Sequence, residues 1–243
     1  MNKRLLYLSL ALLLAVCAAS LMAAPRAEIM NPVFNFGRVS QQVTIYHTFW
    51  IKSTGDDTLI IKRVEPGCGC TKAPVQDTVL APGDSTRMQI FFSTWQYRGY
   101  VIKKPHIITN APDSITYAQI LAQPITDPAS IRPVTVEPFK VDVSQFSSAV
   151  RRKATFKISN MGSQDYPLEL VEASGGVFDV ELPPMVKAGE TVEGTIIVHD
   201  DAVKIEFQTS FTFEVGDEGR TRFTLPVRRM YRVKETGEAS GGK

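Results

Sequence analysis

Two cysteines stand one residue apart in the run Pro66-Gly67-Cys68-Gly69-Cys70-Thr71. A thiol pair this close can act as a redox couple, supply half of a metal site, or staple a turn. In a redox couple one thiolate attacks and its neighbour resolves the mixed disulfide. Gly69 relaxes the backbone restrictions of the small ring that a Cys68–Cys70 disulfide closes. In a metal site the two soft thiolates suit copper(I) or zinc, with a third ligand from His47 or His106. Neither histidine stands at a ligand-like spacing from another His or Cys, and each lies in a strand-like run. No resident metal or cofactor is therefore expected. Redox enzymes commonly place such a pair at a helix N-terminus, where the dipole stabilises a thiolate, and no helix is predicted here. The residues favour a local structural pair, with thiol-disulfide exchange or copper/zinc handling by Cys68 and Cys70 as the alternative.

Other catalytic motifs are absent. There is no Gly-x-Ser-x-Gly elbow, no His-Glu-x-x-His and no Gly-x-x-x-x-Gly-Lys-Ser/Thr loop. No catalytic residue is named and a non-enzymatic protein is expected. The pairs Asp56-Asp57 and Asp200-Asp201 lack calcium-loop spacing and read as turns, with His199 beside the second. Large rings point instead to binding. Trp50 alternates with Phe49 and Ile51, which should face the core, so its indole faces out. Trp95-Gln96-Tyr97 sets two rings at a strand end. Trp50, Trp95 and Tyr97 are the candidate surface for a protein partner, and sheet edges offer a second route. A structural role in the cell envelope is the remaining reading.

The elements that must position these residues begin after an export signal. Lys3-Arg4, the apolar run Leu5 to Val16 and the small residues up to Ala24 follow the order of a secretory signal peptide, expected over residues 1–23. The apolar run is shorter than the ~20 residues a spanning helix needs. No transmembrane segment is expected in the mature chain, and the protein is placed in the periplasm or at the cell surface. Val16 stands where a lipoprotein signal takes Gly, Ala or Ser, so no lipid anchor at Cys17 is expected. The chain holds 27 Lys and Arg against 25 Asp and Glu; loss of Lys3 and Arg4 leaves 25 of each. A near-neutral mature chain without a basic stripe has no footprint for nucleic acid. Arg151-Arg152-Lys153 and Arg228-Arg229 read as solvated strand faces.

The rest reads as all-β. Val33–Gly37, Thr44–Lys52, Thr58–Val64, Thr86–Ser93, Tyr100–Thr109 and Ile115–Ala122 are short β-rich runs. They are separated by turns such as Ala81-Pro82-Gly83-Asp84. A fainter copy follows: Thr155 to Gly162 echoes Thr48 to Gly55, and Lys187-Ala188-Gly189-Glu190 echoes Ala81 to Asp84. This predicts two tandem immunoglobulin-like antiparallel β-sandwich domains, residues 28–127 and 128–233, with a flexible tail over 234–243. Prolines between 124 and 138 predict an extended, semi-rigid connector. The second copy has Ala173-Ser174-Gly175-Gly176 where the first has its cysteines.

The first copy, about residues 33–122, is similar to a known family. Phe34-Asn35-Phe36-Gly37, His47 to Asp56, Leu59-Ile60-Ile61, Cys68-Gly69-Cys70-Thr71, Pro82-Gly83-Asp84 and Thr109-Asn110 in that order resemble a bacterial family of exported immunoglobulin-like domains of unknown function. The Cys-Gly-Cys-Thr turn is that family's signature. Its sandwich in turn resembles Hydin-type and major-sperm-protein-type modules and, more distantly, pilus chaperones. The resemblance implies fold and export and supplies no activity.

Overall fold

A computed structural model describes residues 23–232. The expected signal peptide (all but Ala23), with Cys17, and the tail 234–243 lie outside them. The described chain is all-β. Its first half contains β1 (Ala27–Met30), β2 (Val33–Ser40), β3 (Thr44–Ser53), β4 (Leu59–Glu65), β5 (Thr71–Lys72), β6 (Val79–Leu80), β7 (Ser85–Ser93), β8 (Val101–Lys103), β9 (His106–Thr109), β10 (Ile115–Tyr117) and β11 (Gln119–Ile125). The second contains β12 (Val134–Glu137), β13 (Val141–Asp142), β14 (Lys153–Asn160), β15 (Tyr166–Ala173), β16 (Phe178–Glu181), β17 (Met185–Val186), β18 (Thr191–Val198), β19 (Phe207–Val215) and β20 (Arg222–Arg229).

Period-two alternation sets the faces. In β7, Thr86, Met88, Ile90 and Phe92 point inward while Ser85, Arg87 and Gln89 face water. Its antiparallel partner β3 turns Ile45, Phe49 and Ile51 to the same interior. The buried apolar residues form two clusters. One holds Phe36, Phe49, Met88 and Phe92; the other holds Phe156, Phe211, Phe213 and Phe223. The strands order as β1-β3-β7-β5, as β10-β9-β4-β6 and as β12-β14-β18-β16. An eight-stranded sheet, β17-β15-β19-β20-β2-β11-β8 with β13 also on β20, runs through both halves.

The echoed segments fold alike. β3 pairs with β7 as β14 pairs with β18. Ser53 N–H donates to Asp84 O and Asn160 N–H donates to Glu190 O, both at 2.9 Å. The turns before β7 and β18 each place glycine at positive φ, Gly83 at 90° and Gly189 at 72°.

Several expectations are corrected. Tyr100–Thr109 is not one strand: Pro105 has no N–H to donate, and the chain passes there from β8 in the shared sheet to β9 in another. Ile115–Ala122 likewise divides at buried Ala118, whose N–H donates to Pro105 O at 3.1 Å and ties the two crossings together. The connector is not extended throughout: Pro124 sits in β11 opposite Val39, a 3-10 turn follows at Pro128–Ser130, capped by Asp127, and Val134–Glu137 pairs with β14. Arg228 is exposed, but Arg229 is buried.

The halves meet along β2 and β20. Arg38 and Val39 pair in parallel with Phe223 and Thr224. Thr224 Oγ1 donates to Phe36 O at 2.6 Å, Ser40 Oγ donates to Phe139 O at 2.8 Å, and Tyr46 N–H donates to Ser210 Oγ at 3.0 Å.

Candidate functional site

The cysteine turn is a crossover. The chain leaves β4 at Glu65, turns at Gly67 with φ +82°, and enters β5, the outer strand of a different sheet. β5 is short and pairs only with β7, Thr71 opposite Phe92 and Lys72 opposite Phe91. Cys68 and Cys70 are joined by a disulfide, with Cα atoms 5.3 Å apart. Thr71 N–H donates to Cys68 O at 3.3 Å, and Ser93 N–H donates to Cys70 O at 2.8 Å. The buried Thr71 hydroxyl lies 3.5 Å from Cys68 Sγ and 3.6 Å from Cys70 Sγ. The Tyr97 hydroxyl donates to Cys70 Sγ at 3.1 Å. The Tyr97 ring leans on Phe92, with centroids 5.5 Å apart, and Lys103 Nζ lies 4.5 Å from its centre.

The second half makes the corresponding crossover without sulfur. Between β15 and β16 run Ser174, Gly175 at φ +96° and Gly176 at φ +59°. Ser174 N–H donates to Ser210 O at 2.9 Å, and Thr209 Oγ1 donates to Ser174 O at 2.6 Å. Ser174 Oγ reaches Tyr46 O in the first half at 3.2 Å. That crossover is braced by the neighbouring half. The cysteine turn has open space beyond it: a Cβ added at Gly67 or Gly69 meets nothing within 4 Å. The disulfide supplies locally what the other crossover takes from its neighbour.

The candidate rings do not share one surface. Trp50 is 46% exposed, outward as expected from its buried neighbours Phe49 and Ile51. Met30 stands opposite it on β1, half exposed, and Arg87 opposite on β7 lays its guanidinium 6.0 Å from the indole centre. Trp95 is 62% exposed and lines a cleft of about 420 Å³ between the halves, with Val43, Lys140, Asp142, Gln208 and Arg228. Six residues of β3–β7 ladder separate Trp50 from the Thr44–Ser93 pair beside Trp95, roughly 20 Å of strand. Tyr97 belongs to neither: it is half-buried against the disulfide. The turn formed by Tyr97 N–H donating to Thr94 O at 3.2 Å aims it inward. No spacing between residues 70 and 97 signals that contact, which depends on the β5–β7 register.

Residues 27–123 match a family described as "Protein of unknown function (DUF1573)". The match runs from the start of β1 into β11 and contains the cysteine turn, Trp50, Trp95 and Tyr97. No curated protein matches the chain. Among solved structures, a protein of unknown function from Porphyromonas gingivalis W83 is 10% identical over 83% of this chain and 99% of its own, with a TM-score of 0.35. A PapD-like domain of human CEP192 is 13% identical over 43% of this chain and 88% of its own, with a TM-score of 0.34. The Escherichia coli chaperone DraB is 9% identical over 85% of this chain and 97% of its own, with a TM-score of 0.31.

The histidines are committed elsewhere. His47 Nδ1 meets Glu172 Oε2 of the second half at 2.5 Å, and its ring stacks on Phe34 at 3.7 Å. It lies opposite Ile90, three residues of β7 away from the Ser93 that holds Cys70, roughly 10 Å. His106 stands opposite Glu65 and edge-on to Tyr117. His199 bonds Asp179 at 3.1 Å and Gly176 O at 3.1 Å, and the Asp179 hydrogen bond raises its pKa. Among the described residues no three His, Cys, Asp or Glu side chains group as metal ligands. No helix among them is long and apolar enough to cross a membrane.

Proposed function

We propose that this chain is an exported, non-enzymatic binding protein. A signal peptide over residues 1–23 precedes two sandwich domains, 28–127 and 128–233, and the first domain engages a protein partner in the periplasm or at the cell surface. The observation that carries this reading is the triad Met30, Trp50 and Arg87, neighbours on one outward face of β1-β3-β7. Trp and Arg are the side chains that most often anchor interface centres, and Met is enriched there with them. A scatter of single exposed apolar residues does not set three of these types side by side.

Trp50→Ala removes the central ring from a strand whose inner face it does not touch. The fold should be retained, and affinity for a partner captured from envelope extract should fall by about 10- to 100-fold. Cys68→Ser/Cys70→Ser in the same assay should leave capture intact. Paired isotope-labelled capture with wild type and Trp50→Ala reads both effects. The same partners recovered in the same amounts by both baits would sink the choice of surface.

A further inference from the structure

We propose that the Cys68–Cys70 disulfide is a thiol-disulfide exchange site of fixed polarity, in which a thiolate from a partner attacks Cys68 and Cys70 is the sulfur that leaves. This goes beyond the Trp50 surface and does not depend on it.

The two sulfurs have different surroundings. Cys70 packs against the core cluster and its carbonyl is held by Ser93 N–H. Its Sγ receives the Tyr97 hydroxyl at 3.1 Å. Among the described residues Cys68 receives no such donor: the Thr71 hydroxyl, shared almost equally at 3.5 and 3.6 Å, does not separate the pair. Cys68 is flanked by Gly67 and Gly69, where open space offers an incoming group a path that side chains would block. Exchange runs fastest when the departing sulfur is the better-stabilised thiolate. A donor aimed at Cys70, on a ring that carries the Lys103 ammonium, supplies that stabilisation to one sulfur alone.

The step balances without any group the protein lacks. The partner's thiolate forms a bond to Cys68 Sγ, the Cys68–Cys70 bond breaks, and its electron pair leaves on Cys70 Sγ, held by the Tyr97 O–H. A second thiolate on the partner then attacks the partner's own sulfur in the mixed disulfide and releases Cys68. The partner dithiol departs as a disulfide, oxidised by two electrons. Cys68 and Cys70 are left as thiols, reduced by two electrons, after taking up the two protons that the partner's thiols gave to water. A disulfide-bearing oxidant restores the pair by the reverse exchange. The substrate class is an exposed protein dithiol, approached from the open side of the turn.

The test uses the exported, oxidised full chain and glutathione as the probe thiol. After brief exposure, acid quenching and alkylation, tandem mass spectrometry locates the glutathionyl group. The adduct is expected on Cys68 in at least about tenfold excess, the scale of one hydrogen bond to a charged group. Tyr97→Phe keeps the ring on Phe92 and removes only the donor. It should slow exchange about tenfold and bring the Cys68:Cys70 ratio towards one, with the thermal midpoint unchanged. A brace that is merely structural would not fix which sulfur is labelled. Equal labelling, an excess on Cys70, an unchanged rate in Tyr97→Phe, or free thiols throughout in the exported protein would each overturn the proposal. Because Trp50→Ala lies on another face, failure here leaves the binding reading standing, and the reverse holds.

Discussion

Replacing Arg229 with methionine should destabilise the protein by about 3–5 kcal/mol, a loss on the scale of breaking a buried charged network. Arg229 is 1% exposed, and its partners among the described residues are carbonyl oxygens. All five of its N–H donors are used. Nε donates to Val203 O at 3.0 Å, Nη1 to Val143 O at 2.6 Å and to Arg151 O at 2.8 Å, and Nη2 to Gln145 Oε1 at 3.0 Å and again to Val203 O. One side chain thus joins the segment after β13, the entry to β14 and the turn before β19. Burial pushes the guanidinium's pKa down, and the ring of carbonyl oxygens offsets that burial by holding the charged form. Methionine fills much of the same space but leaves the carbonyls of Val143, Arg151 and Val203 without that donor, each costing about 1–3 kcal/mol where water cannot reach it, while Gln145 Oε1 keeps the Arg151 N–H at 3.2 Å. Arg229→Lys keeps the charge with three donors on a single nitrogen and should recover only part of the loss. Urea unfolding monitored by fluorescence measures both variants. A methionine variant within about 1 kcal/mol of wild type would mean that the carbonyls find water, and the clamp would then not matter to stability.

Gly37→Val should cost about 2–5 kcal/mol and loosen the joint between the halves. Gly37 adopts φ +64°, a region unfavourable for any side chain and worst for a β-branched one. A Cβ there would sit 2.2 Å from Arg222 O, a backbone atom of β20. Relief requires β2 to move away from β20, which pulls on the Arg38–Phe223 and Val39–Thr224 pairs and on the Thr224-to-Phe36 hydrogen bond. Two readouts are expected to move together. The thermal midpoint should fall, and limited proteolysis should cut faster between residues 126 and 133. A variant with wild-type melting and wild-type proteolysis would show that β2 and β20 separate without cost.

The all-β class was legible because it rests on local patterning. Alternation in Thr44–Ser53 and Ser85–Ser93 and the Pro-Gly-Asp turn before β7 are sequence properties, and the side-chain period of a strand turns them into faces. The outward direction of Trp50 follows from the same alternation. Strand ends were less legible. Tyr100–Thr109 reads as one β-rich run, and only its tertiary partners show that the two sides of Pro105 belong to different sheets. Arg229 carries no local sign of its burial either. Its neighbour Arg228 has the same chemistry and faces water, and the difference is the set of distant carbonyls that β13 and β14 bring to one place.

The cysteine turn divides in the same way. The sequence by itself determined that two thiols stand one residue apart around a glycine, in a turn between strands, and that no ligand-spaced histidine accompanies them. It also placed a glycine pair at the corresponding turn of the second half. Only the tertiary structure decided that the turn is a crossover between sheets held from within its own half, that Tyr97 aims its hydroxyl at one sulfur and not the other, and that His47 is held by Glu172 across the joint. The physical reason is range. Alternation, turn chemistry and ring closure act over a few residues and are written in the local order of side chains. The partner of a sulfur or an imidazole 27 or 125 residues away is set by strand register and by how two sheets pack, which no local spacing records.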